Sequence, residues 1–118
     1  SSAASDVYKR QDDGFILCLI PGDKKFSLNK LKKIISKKDV CMADADQVKE
    51  NTGFSIGGVS PVGHLKKIDV LVDKTFDRFK DVFAAAGHPH SIFKISNLHL
   101  LKITNGKTLD ISEWDSPI

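Results

Sequence analysis

Long apolar runs are missing from this 118-residue chain, and none approaches the ~20 residues of a membrane span. Only two cysteines are present, Cys18 and Cys41. Two thiols cannot build the disulfide framework of a small secreted domain, so the expectation is reduced cysteines in a cytoplasm. Cys18 falls in an apolar strand-like run and reads as core. Strong charge of one sign is also lacking: the formal net charge is +3, too small by itself to demonstrate nucleic-acid binding. No Gly-x-Ser-x-Gly elbow occurs, which gives no support to a serine-nucleophile hydrolase. No Gly-Lys-Ser/Thr follows a glycine cluster, which excludes a Walker A loop.

What is present is an ordinary globular composition, 41% hydrophobic and 28% charged, long enough for one domain with one core. The most informative stretch is Gly53-Phe-Ser-Ile-Gly-Gly-Val-Ser-Pro-Val-Gly-His64. Four glycines and a proline in twelve positions exclude a helix and make a poor strand. Gly57 and Gly58 can adopt positive φ and let a ligand approach the main chain. Pro61 stiffens the turn. The run therefore reads as a loop presenting bare backbone amides, or alternatively as a tight connection that needs small residues.

Coarse periodicity predicts a strand at Gly14–Ile20 ended by Pro21-Gly22, and a helix capped by Ser27 with Leu28, Leu31, Ile34 and Ile35 on one face. A short strand is expected over Val40–Ala43, and a helix from Asp44 or Asp46 to a stop at Gly53. After the loop come a strand at Ile68–Val72 and a helix at Thr75–Ala86, the latter from the spacing of Phe76, Phe79, Val82 and Phe83. A strand at Ser91–Ile95, a helix at Asn97–Ile103 and a strand at Leu109–Ile111 complete the chain. Trp114 finds no role. This order leaves an α/β sheet open.

Lysines concentrate at Lys24, Lys25, Lys30, Lys32, Lys33, Lys37 and Lys38. Such a cluster suits phosphate contacts, although the solvated face of an amphipathic helix produces the same pattern. Gly87-His88-Pro89-His90 places two histidines at i,i+2. A structural zinc needs four ligands, and no second Cys or His pair has ligand spacing.

The loop, as Gly53, Phe54, Gly57, Gly58, Pro61 and Gly63, resembles the signature of the YbaK/prolyl-tRNA-synthetase-associated domain family of aminoacyl-tRNA deacylases. Phe83–Phe93 resembles that family's second active-site segment, and Ser96–Ser112 its last helix and strand. The resemblance implies an α+β fold, a mixed and largely closed sheet surrounded by helices. It also implies hydrolysis of misacylated tRNA in trans, with Cys- or Ala-tRNA(Pro) as substrate and no cofactor or metal. Gly57 and Gly58 would hold the substrate carbonyl, and His88 or His90 would order water. Phe54, Val59, Ser60, Pro61, His64 and Gly87 would line the substrate pocket. Lys24, Lys25, Lys32 and Lys33 would contact tRNA. The implied partners are the misacylated acceptor end and prolyl-tRNA synthetase, with no membrane. The rival readings are a noncatalytic tRNA-binding or synthetase-associated module and a small-molecule domain holding an anion on the loop.

Ser1–Gln11 matches one translated frame of a common transposase-type sequencing adapter. The expectation is a library-derived, disordered tail that stands in place of native chain, followed by a single editing domain over 12–118. The resemblance would put a functionally important lysine in the replaced part. Lys9 is not assigned that role, and this fragment is expected to be inactive, with one sheet edge unpaired.

Overall fold

The computed structural model describes residues 2–10, 14–35, 40–88 and 90–114, with backbone alone at His88. Its centre is a mixed five-stranded sheet. In chain order the strands are β1 (Ala3–Arg10), β2 (Phe15–Pro21), β4 (Val40–Met42), β5 (Asp69–Asp73) and β8 (Lys107–Leu109). In space they run β4-β1-β2-β5-β8. β1 pairs antiparallel with β2 and β4, whereas β2/β5 and β5/β8 are parallel. Two small antiparallel ribbons flank the sheet: β3 (Lys24–Phe26) with β9 (Ser112–Trp114), and β6 (Asp81–His88) with β7 (Ser91–Ser96). The helices are α1 (Leu28–Ile35), α2 (Ala45–Thr52) and α3 (Asn97–Thr104). The fold is α+β, and among the described residues no helix is long and apolar enough to cross a membrane.

Pleat alternation splits the core into two layers. Val7, Leu17, Leu19, Val70 and Val72 point to one face and pack with Val48, Val59, Phe76, Val82 and Leu100. Tyr8, Ile16, Cys18, Ile20 and Leu71 point to the other and pack with Leu31, Val40 and Ile111. The first layer carries α2, the glycine loop, the β6–β7 ribbon and α3. The second carries α1 and the β3–β9 ribbon. Cys18 is buried in the second layer, and burial, then the nearby Asp6 charge, pushes its thiol pKa up. That suits a packing role.

Three expectations are corrected. Ala3–Arg10 is not a disordered tail: it is the strand beside β2, in register from Ala3↔Pro21 to Lys9↔Phe15. Backbone pairing is indifferent to most side chains, and Val7 and Tyr8 are each buried, one on either face of the sheet. Both sides of β1 are paired, so it is not an open edge; Ser1 and Gln11 lie outside the described residues. Thr75–Ala86 is not a helix but a 3₁₀ turn over Lys74–Arg78 followed by β6. Val82 and Ala84 are buried while Phe83 is exposed, a period of two that pairing with β7 enforces. The strand expected at Leu109–Ile111 splits into β8 and β9, because the chain leaves β5 at Asp110 and Ile111 to pair with β3.

Ser27 caps α1 as expected, accepting from the Lys30 N–H at 3.3 Å. Asp44 rather than Asp46 caps α2, in a reciprocal capping box with Gln47. Trp114 gains a place: Lys24 Nζ lies 4.2 Å from its ring centroid and the Arg78 guanidinium 4.9 Å.

Candidate active site

The glycine loop is built from its base. Gly53 terminates α2 in the left-handed region, at φ 82°, with its N–H donating to Lys49 O at 2.9 Å. Thr52 is fully buried; its hydroxyl donates to Val48 O at 2.7 Å and accepts from the Phe54 N–H at 3.0 Å. Leu65 and Lys66 N–H groups donate back to Thr52 O and Asn51 O, closing the loop where it began. Inside it, Gly58 N–H donates to Ser55 O at 2.9 Å. Gly57 sits at φ 86° with open space where a Cβ would lie. Gly58 does not adopt positive φ, and its amide is spent on the turn, which corrects half of the expected glycine pair.

Val59, Ser60 and Pro61 are buried beneath this turn. The N–H groups of Ser55, Ile56, Gly57, Val59, Ser60, Gly63 and His64 find no protein acceptor among the described residues; of these Gly57 is exposed, whereas Val59 and Ser60 are buried. Backbone donors without a protein partner are open to an incoming oxygen. His64 Nε2–H donates to Ser60 O at 2.7 Å, which fixes a proton on that nitrogen.

Two segments far apart in sequence meet at Phe54. Its ring packs edge-to-face on His64, with centroids 6.2 Å apart. A Cβ placed on Gly87 would lie 2.8 Å from Phe54 Cε1, and one on Gly63 would lie 3.6 Å from Cζ. Phe54, His64 and Gly87, three of the residues expected to line a pocket, thus lie together, with Gly63 beside them. His90 is exposed at the turn of the β6–β7 ribbon. The side chain of His88 and all of Pro89 lie outside the described residues.

On the sheet side, a cavity of about 20 Å³ separates β1 from the loop, lined by Ser5, Asp6, Val7, Met42, Ala43, Val48, Ile56 and Val59. Ser5 shares the pleat face of Val7, toward the loop. Its Oγ is buried without a hydrogen-bond partner. Asp6 shares the opposite face with Tyr8, and burial raises its carboxyl pKa. Sequence reasoning missed Ser5, since nothing in a small polar residue signals which turn will cover it.

The expected tRNA-contacting lysines fall elsewhere. Lys24 and Lys25 lie on β3, and Lys32 and Lys33 on α1, in the layer opposite the loop. Lys25 pairs with Glu113 at 3.7 Å, and Lys30 with Asp110 at 3.0 Å. Lys37 and Lys38 lie outside the described residues.

A sequence model of the aminoacyl-tRNA editing domain matches residues 4–103. The chain belongs to this aminoacyl-tRNA editing domain family. Its relatives include a proline–tRNA ligase of Brachyspira hyodysenteriae, 32% identical over 94 residues that cover 80% of this chain and 16% of the ligase. The chain thus spans a small part of the ligases it matches. An Enterococcus faecalis protein named "Putative Cys-tRNA(Pro)/Cys-tRNA(Cys) deacylase EbsC" is 26% identical, covering 84% of this chain and 60% of that protein. Among solved structures, one titled "Crystal structure of a putative trans-editing enzyme for prolyl tRNA synthetase" superposes with a TM-score of 0.90 at 30% identity. It covers 95% of this chain and 70% of that one.

Proposed function

We propose that this chain is the catalytic framework of a cytoplasmic deacylase that clears wrongly charged tRNA(Pro), carrying cysteine or alanine, in trans to prolyl-tRNA synthetase. The observation that carries this reading is the set of unpartnered N–H groups at Gly57, Val59 and Ser60 on a loop closed at its base. An ester carbonyl oxygen accepting from them gains stabilisation as negative charge builds on it, about 3 kcal/mol per donor. Water then attacks the carbonyl carbon, the bond to the ribose oxygen breaks, and free amino acid and uncharged tRNA leave. Phe54, Pro61, His64 and Gly87 form the rim that orients the terminal nucleotide.

The family resemblance calls for a lysine on the strand facing this loop. β1 presents Ser5 there, and Lys9 stands four residues further along, at the Phe15 end of the strand. The chain as it stands is therefore expected to hydrolyse mischarged tRNA slowly or not at all, and Ser5→Lys to raise the rate at least ~10-fold, the low end of what one well-placed catalytic group supplies. The check is release of radiolabelled amino acid from Ala- and Cys-tRNA(Pro) by both forms. Native-enzyme rates in the unaltered chain would show that hydrolysis needs no lysine at position 5. In a form that turns over, an unchanged rate after Gly58→Val would remove the loop from the mechanism.

The bare Ser5 position also favours a second reading, a noncatalytic tRNA-binding module. Both forms inert in hydrolysis yet binding uncharged tRNA is the outcome that selects it.

A further inference from the structure

An open groove of about 280 Å³ runs along the outer side of the glycine loop. Pro61–Ile68 forms one wall, and Ile103 and Thr104 at the end of α3 form the other. It shares Pro61, Val62, Gly63 and His64 with the loop. Lys66 and Lys67 line it, and both are exposed. Lys66 has only a long contact to Glu50, at 3.9 Å between exposed side chains, which binds weakly. Lys67 makes no ion pair among the described residues. Lys102 in the last turn of α3 offsets the negative end of that helix.

The lysine-rich first third of the chain is different. Two of its lysines are already engaged, Lys24 over Trp114 and Lys30 with Asp110 and Ser112 O, while Lys25 has only an exposed 3.7 Å contact to Glu113. That surface also lies across the sheet from the loop. A strand whose 3′ end sits at Gly57 would have to wrap around the sheet edge to reach it.

We propose that the sugar-phosphate backbone of an RNA acceptor strand lies in the groove between Pro61–Ile68 and the end of α3, held by Lys66 and Lys67. This rests on the deacylase reading for the placement of the 3′ end at the loop. The occupant is RNA because the groove is open and cationic and shares the Pro61–His64 segment with the glycine loop. His64 marks the junction, its ring held by Ser60 O between Phe54 and the groove.

The test is fluorescence anisotropy of the 118-residue chain with an uncharged acceptor-stem minihelix bearing a single-stranded 3′ end, across a salt series. Lys66→Gln/Lys67→Gln is expected to weaken binding about tenfold and to flatten the log K against log salt slope by roughly 1.5, as for two lost phosphate contacts. Lys32→Gln/Lys33→Gln is expected to leave both unchanged. Circular dichroism and thermal melting establish that each double variant is folded. Binding weakened by the α1 pair and not by the Lys66/Lys67 pair overturns the inference and leaves the deacylase reading standing. A wild-type chain that binds no RNA even at low salt overturns both. A Lys66/Lys67 effect equal for the minihelix and for a blunt duplex of the same length overturns the placement of the 3′ end at the loop.

Discussion

Asp73 is fully buried at the end of β5, where an isolated carboxylate would be costly. Burial pushes its pKa up, but its partners win and hold it below the ordinary value. One oxygen accepts from the N–H and the hydroxyl of Thr75, capping the 3₁₀ turn, and the other accepts from the Ile111 N–H at 3.0 Å. The carboxylate thus joins β5, the turn after it and the bend between β8 and β9. Its folded pKa lies below its unfolded one, so its contribution is complete above about pH 4 and is lost as pH falls through the folded value. Asp73→Asn is expected to cost about 2 kcal/mol or more near pH 7, since charge-assisted bonds are lost and the amide turns a donor toward one of three donors. Urea unfolding at pH 7 and pH 3 checks this: the gap between wild type and variant should shrink at the lower pH. The sequence offered only a plain Asp after an apolar strand, with no sign that the remote Ile111 N–H would join the two donors of nearby Thr75 on it.

At the scale of elements, the β6–β7 ribbon meets the glycine loop through one glycine. Gly87 has φ 88°, and its missing Cβ makes room for the Phe54 ring. Gly57 has a similar φ but faces open space. Both Gly→Ala substitutions carry the left-handed backbone cost of about 1–2 kcal/mol. Gly87→Ala must also displace the ring, so its loss of stability by chemical denaturation should exceed that of Gly57→Ala. Equal losses would show that Phe54 moves aside freely. Elements with local signals were legible: Ser27, Asp44 and Gly53 marked helix ends through side-chain and backbone capping that acts within four residues. The segment Thr75–Ala86 misled because its aromatic residues happen to fit a helical period. Its partner strand β7 lies beyond the ribbon turn, and cross-strand hydrogen bonds chose the extended form.

For the whole molecule, β1 is the strand on which the sheet depends. It bonds β2 over seven positions and carries β4 on its other side. Removing residues 1–10 would uncover an apolar β2 edge and detach β4, so the shortened chain is expected to aggregate or lose its cooperative melt. Size-exclusion chromatography and calorimetry would check this; a monomer with an unchanged melting temperature would contradict it. β1 coincides with the stretch that resembles an adapter sequence. Sheet position is granted by backbone bonding and by Val7 and Tyr8, whereas chemistry facing the loop depends on which side chain stands at Ser5.

The sequence by itself determined the loop, the family and most helix boundaries, because glycine, proline and capping residues act on the backbone within a few positions of themselves. Only the tertiary structure decided which glycine carries positive φ and that Phe54 joins Gly63, His64 and Gly87. It also decided that the lysine cluster lies across the sheet from the loop while Lys66 and Lys67 lie beside it. These are consequences of strand order and pleat alternation, which bring distant residues to one face and send neighbours to opposite ones.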